Sequence, residues 1–439
     1  MSDKVLEVFE NFPSDTLYVG MDISKDSHYA RAVGNNCRKG TEAFCIKNDR
    51  KGFENFLSKI SEWKKKYGCS KVVIGLEPTG NYGLPLEYFL KQAGFDVYRI
   101  SPLTVSRFKD AEDNSPLKSD KKDALLIARL LSEGKVLTPS RQDRDTDTVR
   151  TCVLAMEDLD KIQGMLTNHF ESYRAAHFPE LSKFLPDLAS SASRALLKEY
   201  PTPAAIAEAG VDKIADLLSE ASRKRIGRDK AEKIYDLARN SIGVPVDNEA
   251  ANLALTTTFK LYEVAANARK NFIKVLGETL DRIPQFAILR SIKGVGMMTA
   301  AAIIAFLGDL KNYDNEAQVL KKAGLNLFNR SSGSKYGNCH ISRRGKGLLR
   351  RNLYMASLTQ TRQDSPFYRK YQDLKDRLRS HRKAMVALMR KLLRICFALV
   401  RTNKMFDPDY ETKASAGAKA RDRVRAEKNQ RVIRRSKAA

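Results

Sequence analysis

The hydrophobic and polar positions of the first 135 residues alternate in short runs that predict a mixed α/β domain. Short apolar runs bounded by polar or glycine-containing turns predict strands, and longer amphipathic runs predict helices. The predicted strands are 16–23, 27–33, 41–47, 71–76 and 95–100, and the predicted helices are 53–67, 85–93 and 119–131. This order favours a central mixed sheet with helices on its faces.

Beyond about residue 149 the strand patterns end and the apolar spacing becomes helical. The stretches 153–178 and 251–283 are each long enough for an extended helix, and we expect them to cross as a hairpin or to pair with another subunit. The next region is predicted to be helical apart from a Gly, Ser and basic loop at 329–347, and a basic tail follows that is predicted to be disordered. The predicted organisation is α/β plus α, with domains at 1–148, 149–283 and 284–407 and a tail at 408–439.

The charge of the chain indicates what it binds. Its 439 residues include 78 Lys and Arg against 52 Asp and Glu, which gives a net charge of +26. Such an excess suits a polyanion, and nucleic acid is the leading candidate. A membrane surface is the rival, but the sequence has no run of about 18 apolar residues and no secretory signal pattern. The six cysteines lack CxxC spacing, so we expect reduced thiols in a cytoplasmic protein.

Four acidic residues stand at the ends of predicted elements. Asp22 and Glu77 each end an apolar strand, while Asp120 and Asp123 lie three residues apart and share one face of a helix that Ser119 is expected to cap. Carboxylates that converge from these elements would repel one another unless a hard cation such as Mg²⁺ or Mn²⁺ lay between them. Two such ions can support phosphoryl transfer. Singly, each residue also fits an ordinary surface, turn or helix-terminus role.

A basic loop near the C-terminus is the second candidate site. It carries Gly333 and the adjacent Ser331 and Ser332, and its cations are expected to bind phosphate. The cations proposed as nucleic-acid ligands are Arg330, Lys335, Arg343, Arg344, Lys346 and Arg350. A serine hydroxyl here is either a phosphate hydrogen-bond donor or a nucleophile, and no His or Asp adjacent in sequence favours the second role.

A glycine turn upstream of this loop is a third candidate. Gly294 and Gly296 open an apolar helix in SIKGVGMMTA, as in the second half of a helix-hairpin-helix motif. Backbone N–H groups at such a helix start can bind phosphate without reading base sequence. The alternative is an ordinary helix of small residues packed in a core.

Taken together, seven motifs resemble DEDD-type insertion-sequence transposases, the insertion-sequence family one-ten that includes Piv-type DNA invertases. In chain order they are GMDISKD, GLEPTGNYG, KSDKKDALLIA, SIKGVGMMTA, AGLN, SSG and ISRRGKGLLRRNLY, spread over about residues 17–358. One departure is the segment Asn326-Leu327-Phe328, where the family often has proline.

The resemblance implies a RuvC-like, RNase H-type domain whose metal-binding carboxylates match Asp22, Glu77, Asp120 and Asp123. It also implies a C-terminal transposase domain whose nucleophile matches Ser332, with Ser331 as the other assignment. A structured non-coding bridge RNA would guide the pairing of donor and target double-stranded DNA. A homo-oligomer, dimer or tetramer, would act at the nucleoid of a prokaryotic cell.

Two other function classes remain open from the sequence. A RuvC-like nuclease or junction resolvase would use the carboxylates to activate water, and its serine loop would only bind. A non-enzymatic scaffold would bind nucleic acid through its charge and its long helices and would bind no divalent ion.

Overall fold

The computed structural model describes residues 15–34, 39–78, 80–112, 120–134, 143–185, 190–245, 249–328 and 339–408. The chain separates into two compact units, Met1–Gln142 and Asp143–Ala439. The basic tail and Ser119 lie outside the described residues. The four-part division remains a prediction.

A five-stranded mixed sheet forms the centre of the first unit, as the hydrophobic pattern predicts. The strand order is β3-β2-β1-β4-β5, in which β1 runs antiparallel to β2 and parallel to β4. This arrangement is consistent with the expected RNase H-like domain. The strands are β1 (Thr16–Asp22), β2 (Ser27–Val33), β3 (Phe44–Lys47), β4 (Lys71–Leu76) and β5 (Asp96–Arg99). The helices are α1 (Arg50–Lys66), α2 (Leu84–Gln92), α3 (Pro102–Glu112) and α4 (Asp120–Ser132).

Both faces of the sheet are covered by helices, which explains why β1 and β4 are apolar at nearly every position. Leu17, Val19 and Met21 point into a core shared with α1 and α2. The other face packs against α3 and α4, through residues such as Val73 and Ile127. The helix α3 was not predicted from the sequence. Its Val105 and Phe108 pack with this second core, at helical spacing.

Two long helices dominate the second unit, and both were predicted. They are α5 (Arg144–His177) and α10 (Glu249–Leu280), and they pair with each other within the chain. Asp145 contacts Arg282 just beyond the end of α10, and Asp160 contacts Arg269, both at 2.7 Å. Because later positions on α5 pair with earlier positions on α10, the two helices run antiparallel.

Each end of this helix pair packs into a separate hydrophobic core. At one end Phe170 and Phe259 join short helices, which are α6 (Ser191–Glu199), α7 (Pro203–Ala209), α8 (Val211–Ala221) and α9 (Arg228–Arg239). At the other end Val153 and Leu276 join the C-terminal helices. These are α11 (Pro284–Arg290), α12 (Met297–Leu307), α13 (Glu316–Ala323), α14 (Gly347–Thr359), α15 (Tyr368–Leu378) and α16 (His381–Thr402).

A two-stranded hairpin interrupts the C-terminal helices where the sequence predicted only a loop. It consists of β6 (Leu327–Phe328) and β7 (His340–Ile341). Among the described residues, no helix combines the length and the apolar character needed to cross a bilayer.

Candidate active site

Two glycines let α4 lie directly on the sheet. Gly20 of β1 and Gly75 of β4 are neighbours in the strand register, and both face α4. A Cβ at Gly20 would come within 2.2 Å of the Ala128 nitrogen and 2.3 Å of the Ala124 carbonyl oxygen. A Cβ at Gly75 would lie 3.1 Å from the Leu131 side chain. Any larger residue at Gly20 would therefore push the helix away from the sheet.

The same face of the sheet carries the first two candidate carboxylates. Side chains alternate between the faces of a strand, so Asp22 lies on the face of Gly20, two residues beyond it. Glu77 follows Gly75 by the same interval. The first turn of α4 contains Asp120 and Asp123. The packing of one helix on two adjacent strand ends thus brings together residues separated by about a hundred positions in sequence.

Electrostatic coupling shows that the four carboxylates share one environment. The pKa of Asp22 is raised to about 6, mainly by burial and then by the negative charges of Asp120, Asp123 and Glu77. A hydrogen bond from the Ile23 backbone N–H opposes this rise. A carboxyl group that three others make harder to ionise marks a site of strong negative potential, where a cation is stabilised.

Lys109 was missed by the sequence analysis and lies inside this site. Its ammonium contacts both carboxylate oxygens of Asp123, at 2.6 and 2.9 Å. Asp123 is only 8% exposed, whereas the Lys109 side chain is 32% exposed, so the pair lies at the edge of the protein interior. Lys109 belongs to α3, and the Val105 and Phe108 spacing on that helix was the signal that would have found it. The lysine neutralises part of the charge that the four acids accumulate.

Polar contacts organise the loop that follows Asp22. The buried His28 accepts a hydrogen bond from the Ser24 N–H through Nδ1, at 3.4 Å, and burial lowers its pKa, so the imidazole is held neutral. Asn48 binds the same loop, since its Nδ2 donates to the Lys25 carbonyl at 3.0 Å. These contacts fix the chain direction immediately after Asp22. They were not identified from the sequence.

The donor chemistry of the site suits Mg²⁺ or Mn²⁺, since all four groups offer hard carboxylate oxygens around one region of negative potential. Among the described residues, no three acidic, His or Cys side chains are already gathered as a metal cage. One of the four candidate ligands is occupied by Lys109, because the ammonium of this lysine contacts both oxygens of Asp123. Metal binding at Asp123 would therefore require this lysine to move aside.

The second candidate site is described only at its margins. Arg330, Ser331, Ser332, Gly333 and Lys335 lie outside the described residues, between the two strands of the hairpin. Next to the hairpin, the Ser342 N–H donates to the Asn326 carbonyl at 2.9 Å, and their side chains also hydrogen-bond. The segment Asn326-Leu327-Phe328, where the family often has proline, therefore leads into the antiparallel pair of β6 and β7. The candidate serines lie between these two strands in the sequence.

The basic residues after the hairpin fall into two kinds. Arg343, Arg344 and Lys346 are exposed, directly before the first turn of α14. Arg350 is half-buried, and its Nη1 donates to the carbonyls of Gly345 at 3.0 Å and Ala323 at 3.3 Å. Burial, with the nearby charge of Arg343, lowers its pKa. Arg350 thus ties the loop to the end of α13, while its neighbours are free to face a ligand.

The glycine turn at 294–296 joins α11 to α12, so the described chain here is helix, turn, helix. Gly294 has φ of 88° and lies so close to Thr359 and Gln360 that a Cβ would overlap them. The Gln360 side chain donates to the Lys293 carbonyl, which holds the turn against the end of α14. Gly296 is exposed at the start of α12, whose remaining turns are buried. The helix α12 is packed in the core, and phosphate binding at its exposed start stays a prediction.

Comparison with known families decides the identity of the chain. The family model of IS110 DEDD transposases matches residues 19–177, which include all four carboxylates. A second model, described as the Transposase IS116/IS110/IS902 family, matches residues 286–372. The two matches name the same group and together span more than half of the chain.

The chain belongs to the IS110 family of transposases.

Two proteins of insertion elements are similar to this IS110-family transposase along nearly their whole length, and a third relative is similar over a shorter part. A 44.8 kDa protein of insertion element IS116 from Streptomyces clavuligerus is 25% identical and covers 90% of this chain and 97% of the relative. A 43.6 kDa protein of insertion element IS110 from Streptomyces coelicolor is 23% identical over 91% of this chain and 97% of the relative. A pilin gene-inverting protein from Moraxella lacunata is 27% identical over a shorter part, 28% of this chain and 38% of the relative. The enzyme class of the chain is therefore that of a DNA transposase or recombinase.

Proposed function

We propose that this transposase cuts and rejoins the DNA of an insertion sequence with a divalent-metal site formed by Asp22, Glu77, Asp120 and Asp123 and with Ser332 as nucleophile. The observation that carries the metal site is the packing of α4 on Gly20 and Gly75, which sets Asp120 and Asp123 beside the ends of β1 and β4. Burial and the charges of the other three carboxylates raise the pKa of Asp22 there. Repulsion among four acids on one helix and two strand ends lowers the stability of the folded state. A bound cation offsets that cost and gives the arrangement a chemical use.

The residues of the site have separable roles in this proposal. Asp22 and Glu77 would hold Mg²⁺ or Mn²⁺ from the sheet, and Asp120 and Asp123 would hold it from α4. When bound, the metal supplies positive charge that lowers the repulsion between the acids and a DNA phosphate and favours an ionised attacking oxygen. Lys109 would leave Asp123 as the metal is taken up.

Ser332 would provide the attacking oxygen. Its Oγ would form a bond to phosphorus while the hydroxyl proton passes to a base and the bridging P–O bond of the DNA breaks. The sugar oxygen that leaves would take up a proton, which gives a covalent phosphoserine and a free sugar hydroxyl. The exposed Arg343, Arg344 and Lys346 would bind the flanking phosphates. Gly294 and Gly296 would present backbone N–H groups to the same backbone.

The proposed partners are donor and target double-stranded DNA, a structured bridge RNA, and further copies of this chain as a dimer or tetramer. The net charge of +26 supports binding of nucleic acid. Exposed apolar side chains on the long helix pair support self-association; they are Ile162, Met165, Leu261 and Val264, each more than 40% exposed.

The test is covalent capture of DNA. The full chain is incubated with Mg²⁺, labelled duplexes carrying the ends of its element and the RNA transcribed from that element, and then denatured and separated on a gel. We expect a labelled protein–DNA band that Ser332→Ala and Asp22→Asn abolish and Ser331→Ala keeps. If Ser332→Ala still cleaves, with free DNA ends as products, the chain is a metal-dependent nuclease without covalent serine chemistry.

A further inference from the structure

Three side chains form a row across neighbouring strands at the carboxylate site. In the strand register, Asp22 of β1 lies opposite Tyr29 of β2, and Tyr29 lies opposite Cys45 of β3. Directly opposed residues of antiparallel strands point to the same face of the sheet, and their Cβ atoms are about 5 Å apart. We call Asp22, Tyr29 and Cys45 the cross-strand row.

The burial of the neighbouring residues fixes the face to which this row points. His28 and Ala30 flank Tyr29 and are fully buried, and Ala30 belongs to the core that α1 and α2 share with the sheet. Ile46, which follows Cys45, belongs to the same core. Because side chains alternate along a strand, Tyr29 and Cys45 point to the other face, on which α4 and Asp22 lie. Tyr29 is half-buried and Cys45 is exposed, so the row leads from the carboxylates to solvent.

The first turn of α4 lies close to the cross-strand row. This helix packs on β2 as well as on β1, and Asp120 is its first residue. The pKa of Tyr29 is raised, first by the negative charge of a Cys45 thiolate, then by burial, by a hydrogen bond with the Cys45 side chain and by the charge of Asp120. The phenol therefore lies within electrostatic reach of an acid of α4 and keeps its proton.

A hydrogen-bond donor has a use at this position. Ionised carboxylates offer only acceptor oxygens, whereas a phosphate oxygen has to be bound by donors or cations. Lys109 is paired with Asp123. Tyr29 adds a neutral donor beside Asp22. A thiol sulfur is a weak acceptor, so a phosphate oxygen would replace Cys45 as the acceptor of the phenol proton, and the thiol S–H could then donate to the phenol oxygen.

We propose that the Tyr29 hydroxyl donates a hydrogen bond to a non-bridging oxygen of the DNA phosphate that is cleaved at the carboxylate site, and that Cys45 positions this hydroxyl. The inference rests on the proposed function and adds a substrate-binding residue to the same site. Tyr29 binds the phosphate from β2, while the metal ligands approach it from β1, β4 and α4. A neutral donor adds no positive charge that would compete with the metal for the acids.

Replacement of single atoms separates this role from packing under α4. Packing uses the tyrosine ring, which Tyr29→Phe keeps, and phosphate binding uses the oxygen, which Tyr29→Phe removes. The full chain is incubated with Mg²⁺, the RNA of its element and duplexes carrying the element ends, and the rate of cleavage is measured with the protein in excess. Tyr29→Phe is expected to slow cleavage about 10- to 100-fold and to leave the melting temperature and Mg²⁺ affinity unchanged.

Two further variants test the partners of the phenol. Cys45→Ala is expected to slow cleavage about 2- to 10-fold, and Cys45→Ser to restore it, because serine keeps a hydrogen-bonding group beside Tyr29. Tyr88→Phe is the matched control. It removes the hydroxyl of a 67% exposed tyrosine on α2, a helix that packs on the opposite face of the sheet, and it should cleave like wild type.

Sulfur substitution in the DNA identifies the oxygen that Tyr29 binds. Each of the two non-bridging oxygens of the phosphate that wild type cleaves is replaced by sulfur in turn, and sulfur accepts hydrogen bonds poorly. For one of the two isomers, sulfur is expected to slow wild type more than it slows Tyr29→Phe, which has no donor to lose. Equal sulfur effects in both proteins for both isomers would overturn the inference, even if Tyr29→Phe is slow, because a structural role does not depend on the isomer.

The outcomes also separate this inference from the proposed function. If wild type captures DNA covalently and Tyr29→Phe cleaves at the wild-type rate, the phosphate contact is wrong and the recombinase proposal stands. If wild type neither captures nor cleaves DNA of its element, the proposed function is removed, and the role of Tyr29 with it.

Discussion

Lys109 and Asp123 form an ion pair inside the carboxylate site, with the ammonium nitrogen 2.6 and 2.9 Å from the two carboxylate oxygens. The lysine thus occupies both Asp123 oxygens, which would have to be free to bind a metal ion. It lowers the mutual repulsion of the acids without metal, and it competes with any cation that binds Asp123. Without the lysine the four acids would repel one another more strongly. With the lysine in place, a metal ion has to displace it from Asp123.

Lys109→Met is therefore expected to lower the stability of the metal-free protein and to increase the stabilisation that Mg²⁺ confers. Removing the lysine leaves the nearly buried Asp123 carboxylate without its hydrogen-bond donor, which costs about 1–3 kcal/mol. Thermal unfolding with and without Mg²⁺ gives both quantities. Lys59→Met is the matched control, since Lys59 contacts both oxygens of Glu62 at 2.8 and 2.9 Å on the surface. An equal Mg²⁺ shift in both variants would show that Lys109 does not compete with the metal.

Asp22→Asn is expected to stabilise the metal-free protein above pH 6 while it abolishes DNA cleavage. The folded-state pKa of Asp22 is about 6, raised from 3.8, so the folded protein holds this proton more tightly than the unfolded chain does. Stability is accordingly lost as the pH rises from about 4 to about 6 and stays lowered above that range. Asparagine removes this penalty, which is at most about 3 kcal/mol.

Urea unfolding from pH 4 to pH 8 measures the difference between Asp22→Asn and wild type. The two curves should approach each other as the pH falls towards 4, where the Asp22 carboxyl is protonated in the folded state and partly protonated in the unfolded state. Saturating Mg²⁺ should reverse the order at pH 7.5, because only wild type gains binding energy from the cation. A variant less stable than wild type at pH 7.5 without metal would contradict the electrostatic account of the site.

Gly20→Ala is expected to disrupt the site through packing alone. The added methyl would meet backbone atoms of Ala124 and Ala128 at 2.2–2.8 Å, and backbone cannot rotate away as a side chain can. We expect a loss of about 1–3 kcal/mol in the free energy of unfolding and weaker Mg²⁺ binding by calorimetry. Gly164→Ala is the control, because this glycine of α5 has open space around its Cα and should gain up to about 1 kcal/mol. Matching stabilities in the two variants would mean that α4 does not rest on Gly20.

Arg344→Ala and Arg350→Ala are expected to separate DNA binding from folding. Arg344 is exposed, so its loss should leave the melting temperature unchanged and reduce the slope of log binding constant against log salt by about 1. Arg350 holds two backbone carbonyls, and its loss should lower stability by about 1–3 kcal/mol. Salt titrations of DNA binding and thermal melts measure both. Equal effects of the two variants on melting would show that Arg350 has no special structural role.

Sequence patterns predicted the elements of the first unit well and their contacts poorly. The five strands and the helices α1, α2 and α4 follow from local periodicity, because strands and helices reflect neighbours a few residues away. The helix α3 was missed, since its short apolar repeat lies between a predicted strand and a polar stretch. With it, the sequence analysis missed Lys109. The hairpin of β6 and β7 was missed because two-residue strands have no periodicity to detect.

Residue type and local order were enough to establish the family, the positive charge, the alternation of strands and helices and the identities of the four acids. The three-dimensional packing was needed to show that these acids share one electrostatic environment, that Lys109 contacts one of them and that Arg350 binds the backbone. Repulsion between carboxylates depends on distances, and these are set by how α4 lies on Gly20 and Gly75. Such contacts join residues up to a hundred positions apart, and no local pattern encodes them.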